Sequence, residues 1–298
     1  VWGVNSNNAL GTKLKTTPSR LGISNVKKIA ANNDQSMILT KDGYVYVWGL
    51  NENGELGTGT YNTVKTPTLL NYVSDILDIS LGKNHSILLT TNGKVLTSGL
   101  NVYGQTGKEE GKSNTFTQIE VPVTIGKISA GDNHSVLLST TGDVYTFGYN
   151  EQGQLGLGTK QNVKIPTKTS VSNIMDISAG KNQTIVLGAN RMLYSTGSNS
   201  NGQLGLDDTT NRTEPTKIKA EVILDDGTTK EEEITDAIDI AAGANWTMIL
   251  RADGTVWEAG YNGYGQLGDG TTTSTTLFHK VKLDDNGNYL EKVVQITA

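Results

Sequence analysis

The feature that most constrains this 298-residue chain is an internal repeat of about 49 residues. The segment 42–57 returns at 92–107, 141–156, 190–205 and 253–268, and a headless copy opens the chain at 1–11. The glycines that end its first strand are Gly3, Gly49, Gly99, Gly148, Gly197 and Gly260, so the steps are 46, 50, 49, 49 and 63 residues. A second segment recurs in the same phase at 29–39, 79–89, 128–138, 177–187 and 240–250, and begins once more at Val294. Self-similarity at this period is typical of solenoids and propellers.

Each repeat has the pattern of short strands joined by turns. The runs 44–48 and 144–147 are β-branched and aromatic and lie between glycine-containing turns. Apolar residues occupy both side-chain parities of these runs, which predicts sheets buried on both faces. A further strand in each repeat is built from small residues, which fits strands that crowd around a central channel. These small residues are Ala130, Gly131, Ala179, Gly180, Ala242 and Gly243. No helical periodicity of useful length is present, so we expect few helices.

Turn residues recur at fixed places in the repeat. Asparagine lies two residues after the strand-ending glycine, where we expect αL geometry or a bond to its own backbone two residues on. These are Asn5, Asn51, Asn101, Asn150, Asn199 and Asn262. Gly156 and its equivalents suit a positive φ, and prolines 67, 166 and 215 suit sheet edges. The prediction is an all-β, single-domain β-propeller over 1–298, with six to seven four-stranded blades, ring closure left open, and a hairpin insertion at 217–236.

Two motifs connect these repeats to a known family. The pattern Gly-x-Asn-x-x-Gly-Gln-Leu-Gly occurs at 148–156 and 260–268, and Ile-Ser-Ala-Gly-Asp-Asn-His-Ser occurs at 128–135. Together they resemble the regulator of chromosome condensation repeat, here of a bacterial β-propeller, over essentially the whole chain. The resemblance implies a propeller, typically seven-bladed, whose ring closes by pairing strands from both termini. Its members include nucleotide exchange factors, ultraviolet sensors and hydrolase inhibitors, so the fold does not settle the function.

Composition narrows the function classes. The net charge of −5 argues against binding nucleic acid by bulk electrostatics, and the terminal third is the acidic part, with 7 Lys and Arg against 14 Asp and Glu from Lys217 onward. No apolar run approaches the roughly 20 residues of a membrane span. The chain has no cysteine, which excludes disulfides and thiolate chemistry.

Enzyme and metal sites are not predicted. His85 and His134 share a repeat position with Gln35, Gln183 and Trp246, which favours a repeated hydrogen-bonding role over catalysis. The serines that follow these histidines lie on the opposite face of the strand and cannot pair with them. Residues 283–288 have calcium-like oxygen ligands, but a hairpin with an Asn-Gly turn fits their spacing better. We therefore expect no cofactor and no metal.

Departures from the repeat mark the candidate binding residues. Three aromatic residues replace Asn, Gln or His at loop positions, namely Tyr103, Tyr264 and Trp246, and exposed aromatics of this kind often anchor partners. The segment 221–235 is predicted to form two strands around an Asp226-Gly227 turn. Its acidic candidates are Asp225, Asp226, Glu231, Glu232 and Glu233. This hairpin is either a solvated decoration or a protrusion that binds a partner.

The sequence thus predicts a non-catalytic, protein-binding propeller module of a larger bacterial secreted or cell-surface protein. The alternatives are a glycan-binding surface domain and a guanine nucleotide exchange factor for a small GTPase. We expect a protein partner, with a glycan as the second option, and neither nucleic acid binding nor membrane insertion. The absence of cysteine and the abundance of Asn and Thr suggest the extracellular location, and the start at Val1 suggests a piece of a longer protein.

Overall fold

The computed structural model describes residues 1, 5–13, 16–32, 34–109, 111–223, 229–284 and 288–298. In these ranges the regular structure is β-strand apart from one 3₁₀ turn at Ser6–Asn8, which confirms the expected scarcity of helices. No helix in the described part of the chain is long and apolar enough to cross a membrane. Trp2, which shares its repeat position with Trp48, lies outside the described residues.

The strands form four sheets of four strands and one sheet of six. Within each four-stranded unit the order follows the chain and neighbours are antiparallel; we call these units blades 1 to 5. Blade 1 consists of β1 (Val26–Ala31), β2 (Gln35–Thr40), β3 (Val45–Gly49) and β4 (Val64–Leu69). Blade 2 consists of β5 (Ile76–Leu81), β6 (His85–Thr90), β7 (Val95–Gly99) and β8 (Ser113–Ile119). Blade 3 consists of β9 (Ile125–Ala130), β10 (His134–Ser139), β11 (Val144–Gly148) and β12 (Val163–Lys168).

The fourth and fifth blades repeat this plan, with an insertion between them. Blade 4 consists of β13 (Ile174–Ala179), β14 (Gln183–Gly188), β15 (Leu193–Gly197) and β16 (Arg212–Lys217). The insertion consists of β17 (Lys219–Ile223) and β18 (Thr229–Glu233). Blade 5 consists of β19 (Ala237–Ala242), β20 (Trp246–Arg251), β21 (Val256–Gly260) and β22 (Thr275–Lys280).

The first strands of the blades lie side by side around a common axis, from β1 through β5, β9 and β13 to β19. Serine hydroxyls join them: the Ala130 N–H donates to Ser80 Oγ at 2.9 Å, and the Ala179 N–H donates to Ser129 Oγ at 2.9 Å. Small residues are needed here because the backbones of neighbouring blades approach closely. The radial arrangement confirms the predicted all-β propeller.

The hydrophobic core lies between consecutive blades. Leu39 and Val47 of blade 1 form one buried cluster with Ile79, Leu88 and Phe116 of blade 2. Equivalent clusters fill the interfaces between the later blades. Each interior sheet therefore buries both faces, as its apolar side-chain pattern predicts.

The prolines lie in the outermost strands of their blades. Pro67, Pro166 and Pro215 belong to β4, β12 and β16, and each of these strands has an irregular register against its neighbour. Proline has no N–H to give to a further strand, so it is tolerated at this edge. The prediction of edge positions is confirmed.

The hairpin insertion is part of the fifth blade's sheet. β17 and β18 pair antiparallel, as predicted, and β17 pairs parallel with β22 through Ala220 and Phe278. Ala220, Ile218 and Ile234 are at most 1% exposed and lie in the core between blades 4 and 5. The hairpin is thus anchored by buried side chains at its base rather than being only a solvated decoration.

One ionisable side chain, Glu258, is buried on the face of blade 5 that points away from blade 4. Glu258 stands where the other blades have Val47, Thr97, Thr146 and Ser195. It is 5% exposed, and its Oε2 has no hydrogen-bond partner among the residues that the structure describes. Burial, with a smaller contribution from the nearby Asp269 carboxylate, raises the Glu258 pKa from 4.5 to about 8.

We predict that Glu258→Gln stabilises the protein. Between about pH 4.5 and 8 the unfolded chain has released the proton that folded Glu258 keeps, so this residue makes folding less favourable as the pH rises. The amide has no proton to lose, and we expect it to raise the free energy of unfolding at pH 7.5 by about 2 to 3 kcal/mol. Urea denaturation from pH 5 to 8 measures the effect. Parallel profiles for parent and variant would contradict it, and the exposed Glu52→Gln serves as the control.

Candidate binding face

Two sets of connections meet at one end of the propeller. They are the turns between the first and second strands of each blade and the long loops between the third and fourth strands. The Leu100 N–H donates to Asn84 O at 2.8 Å, and the Tyr149 N–H donates to Asn133 O at 2.9 Å, so each loop is tied to the turn of its own blade. We call this end the loop face. The short turns between the second and third strands form the opposite end.

The repeated asparagine organises each long loop. Asn150 is fully buried; its Oδ1 accepts from the Leu155 N–H at 2.9 Å, and its Nδ2 donates to Thr159 O and Gln161 O at 3.0 and 2.9 Å. The bond to the N–H five residues on recurs in every copy, at Asn5, Asn51, Asn101, Asn199 and Asn262. The expectation of αL geometry or a bond two residues on was therefore wrong. Glycines such as Gly156, with a φ of 65°, adopt the left-handed conformation instead.

Tyr103 belongs to an aromatic pair on the loop face. Its ring lies 4.9 Å from the ring of Tyr149 on the next blade, and both residues are partly exposed. The adjacent Val102 is 69% exposed. The Tyr103 N–H donates to Gln105 Oε1 at 2.9 Å, which holds the loop in place. Sequence reasoning missed Tyr149, although it shares its repeat position with Tyr261.

A second aromatic pair lies on blade 5. Tyr264 is 88% exposed, and its ring contacts that of Tyr261 edge-on with 5.9 Å between centroids. Trp246 is partly exposed and lies against Gly243, where an added Cβ would be 2.4 Å from its Nε1. The structure thus places all three predicted aromatics at the loop-face end of their blades, Tyr103 on blade 2 and the other two on blade 5.

Charged residues lie in three successive turns of this face. Lys83, Asp132 and Lys181 occupy the same position in the turns of successive blades. Burial raises the pKa of Asp132, and the two lysines act in the opposite direction. The described residues contain no group of three or more His, Asp or Glu arranged to hold a metal ion. The loop face therefore offers aromatic anchors beside a mixture of charges.

The histidines join neighbouring blades. His85 Nε2 lies 2.9 Å from Ser135 Oγ, and His134 Nε2 lies 3.0 Å from Thr184 Oγ1. Ser135 Oγ donates its own proton to Gln105 O at 2.7 Å, so it accepts a hydrogen bond from the Nε2–H of the neutral His85 ring. The His–Ser pair that the strand geometry excludes within a blade does form between blades. Here the histidine is the donor, which is the reverse of a base activating a nucleophile.

The acidic hairpin residues are engaged within the chain. Glu231 pairs with Lys219 at 3.1 Å, Glu232 with Arg251 at 3.5 Å, and Glu233 with Lys217 at 2.6 Å. Asp225 and Asp226 lie outside the described residues. Arg251, which sequence reasoning missed, also bonds Asp236 at 2.7 Å and lies 5.0 Å from the Trp257 ring centroid. Its only sequence signal is an arginine where the other blades have Thr40, Thr90, Ser139 and Gly188.

Comparison with known proteins matches this geometry. The family model of the RCC1-like domain matches residues 1–298. The chain belongs to the RCC1-like family. Its structure is similar to Prp20p of Saccharomyces cerevisiae, with 20% identity and a TM-score of 0.79, over 100% of this chain and 75% of that one. The crystal structure of Prp20p was described together with its binding properties to Gsp1p and histones. The structure of this chain is also similar to human WBSCR16, with 23% identity and a TM-score of 0.77, over 90% of this chain and 70% of that one.

A curated relative matches a shorter part of this RCC1-like chain. Ras guanine nucleotide exchange factor C of Dictyostelium discoideum is 44% identical over 52 residues, which are 17% of this chain and 4% of that protein. The likeness to solved structures at these identities establishes the RCC1-like fold alone.

We predict that the two buried histidines make stability depend on pH. Burial is the main cause that lowers the pKa of His85 to about 3 and that of His134 to about 4, from 6.5. Below pH 6.5 the two histidines are protonated in the unfolded chain but stay neutral in the folded chain. The free energy of unfolding therefore falls as the pH falls toward the two folded-state pKa values. At pH 5 we expect a loss of about 2 kcal/mol for each histidine relative to pH 7.5.

The double variant His85→Gln/His134→Gln tests this prediction, because glutamine occupies the same position in blades 1 and 4. We expect urea denaturation to show a clearly flatter profile between pH 7.5 and 5 for the variant. An equally steep decline would show that the histidines are not the source.

We also predict that Asn150→Ala destabilises the protein by about 2 kcal/mol, because it leaves the buried Leu155 N–H without an acceptor. Chemical denaturation measures the loss. Lys160→Ala, an exposed change in the same loop, should alter stability little. Equal effects of the two substitutions would contradict the clamp role of Asn150.

Proposed function

We propose that this RCC1-like propeller is a non-catalytic module that binds a protein partner on its loop face. The observation that carries the proposal is the pairing of solvent-accessible aromatic residues on hydrogen-bonded loops: the partly exposed Tyr103 with Tyr149, and the exposed Tyr264 with the partly exposed Tyr261. Tyrosine supplies a large contact area for little loss of side-chain entropy, and such residues are common hot spots.

The rigidity of the loops supports the same reading. The tyrosine-bearing loops are held by buried asparagines, Asn101 and Asn262, and by a backbone bond from each tyrosine to a glutamine side chain. A surface that is ordered before binding loses little conformational entropy when a partner docks. The neighbouring Lys83, Asp132 and Lys181 would then select the partner by charge.

Partner capture with matched variants tests the proposal. We expect the parent chain to capture a partner by cross-linking and the double variant Tyr103→Ala/Tyr264→Ala not to capture it. The affinity of the double variant for the purified partner should be at least about tenfold weaker. Tyr44, which is 51% exposed and lies at the opposite end of the propeller, gives the control Tyr44→Ala. Equal loss in both variants, or retention in both, would contradict a loop-face site.

Nucleotide exchange on a small GTPase is the second candidate function. It is favoured by the similarity to Prp20p, described with Gsp1p, and by the short match to a Ras exchange factor. We expect no acceleration of GDP release from a panel of small GTPases of the Ras and Gsp1p type at micromolar concentrations of the chain. If the parent chain accelerates GDP release and Tyr103→Ala/Tyr264→Ala does not, the protein is an exchange factor that acts through the loop face, and the non-catalytic proposal is wrong.

Two further expectations stay predictions. A glycan could also stack on the Tyr103–Tyr149 pair, and binding of oligosaccharides that is lost in Tyr103→Ala would favour it. The bacterial, secreted or cell-surface setting rests on composition alone.

A further inference from the structure

The outer edges of the four regular sheets are closed to further strands. Proline interrupts β4, β12 and β16. A backbone bond from the preceding blade covers part of β8, where the Gly59 N–H donates to Asn114 O at 2.7 Å. In blade 5, β22 is covered by β17. Such devices prevent a sheet from pairing with other chains.

β18 lacks these protections. It is the outermost strand of the six-stranded sheet, and among the described residues only β17 pairs with it. It contains no proline, and no described loop donates a backbone bond to it. Its outer row of backbone N–H and C=O groups is therefore open to an extended segment.

The hairpin that carries this edge is firmly held. Arg251 bonds Asp236 and Glu232 and packs over Trp257, which ties β18 to the blade. Lys217 and Lys219 hold Glu233 and Glu231. In blades 1 and 2 the position of Arg251 is a threonine whose hydroxyl accepts a turn N–H, from Tyr44 at 3.1 Å and from Lys94 at 2.9 Å. Only the blade that carries the hairpin has arginine there.

The charge of the insertion indicates what it would accept. Residues 217–233 contain three lysines and six Asp or Glu residues, a net charge of −3. A basic segment is attracted to this strand and an acidic one is repelled.

We propose that the outer edge of β18 is a docking site for an extended, lysine- or arginine-rich segment of another protein, which adds to the blade 5 sheet as a further antiparallel or parallel strand. Main-chain hydrogen bonds to β18 supply the affinity, and the acidic hairpin supplies the selectivity. This site is separate from the loop face, so either surface can fail a test without the other.

A fluorescent eight-residue peptide of alternating lysine and valine tests the proposal by anisotropy at 150 mM salt. Two further peptides carry N-methyl groups on one or the other alternate set of amides. Strand addition uses only one set, so we expect one methylated peptide to bind like the parent peptide and the other at least about tenfold more weakly. Equal binding of both would show simple charge attraction and overturn the proposal.

Protein variants provide the second arm. In the connection between blades 1 and 2, Asn71 and Tyr72 join Leu70 to Val73. In the connection between blades 4 and 5, residues 219–233 take their place. Replacing 219–233 by Asn-Tyr should abolish binding, while an unchanged cooperative melting transition shows that the propeller persists. Tyr103→Ala, on the loop face, should leave peptide binding unchanged. Peptide affinity that survives the replacement of 219–233 would overturn the proposal.

Discussion

Burial of both faces of each blade against its neighbours is the constraint on which this structure depends. A four-stranded sheet that is apolar on both sides, such as blade 2 with Leu88 on one face and Leu89 on the other, exposes too much apolar surface to be stable alone. Placing it between two other blades removes that surface from water. The regular period follows, because each repeat must present the same two faces at the same separation.

Polar contacts between blades work within the same constraint. The inner strands bond through Ser80 and Ser129, and the second strands bond through His85 and His134 to hydroxyls of the next blade. His85 and His134 are buried and Ser80 and Ser129 are partly buried, and these directional contacts help to specify the spacing and register of adjacent blades. Gly131 shows how tight the fit is, since a Cβ there would lie 2.2 Å from His134 Cε1. The glycine and the histidine are therefore one structural requirement.

The parts of the structure that follow from local pattern were predictable from the sequence. The strands, the edge prolines and the pairing of the hairpin depend on residues close together in the chain, and the period is visible when the repeated segments are compared. The role of Asn150 was not predictable, because its partners lie up to eleven residues away in an irregular loop. The His85–Ser135 contact spans 50 residues and the Arg251–Glu232 pair joins two elements. Both depend on how the elements pack, which no single segment encodes.

The same distinction applies to the candidate binding residues. Repeat departures identified Tyr103 and Tyr264, because an aromatic residue at an otherwise polar position is visible in one sequence. The pairing of Tyr103 with Tyr149 was hidden, since the two residues belong to different blades. The hairpin glutamates were visible as charge, but their pairing with Lys217, Lys219 and Arg251 was not.

The asparagine clamp has a consequence for how such a surface can change. Asn101 bonds backbone atoms of Thr106 and Lys108, and makes no demand on the side chains of Val102 and Tyr103 between them. Those two positions are Glu and Asn in blade 1, Glu and Gln in blade 3, and Ser and Asn in blade 4, on loops held in the same way. The backbone conformation of this loop therefore does not depend on which side chains occupy positions 102 and 103. Point substitutions at these two positions can change the side chains that the loop presents while the buried asparagine keeps the backbone of the loop in place.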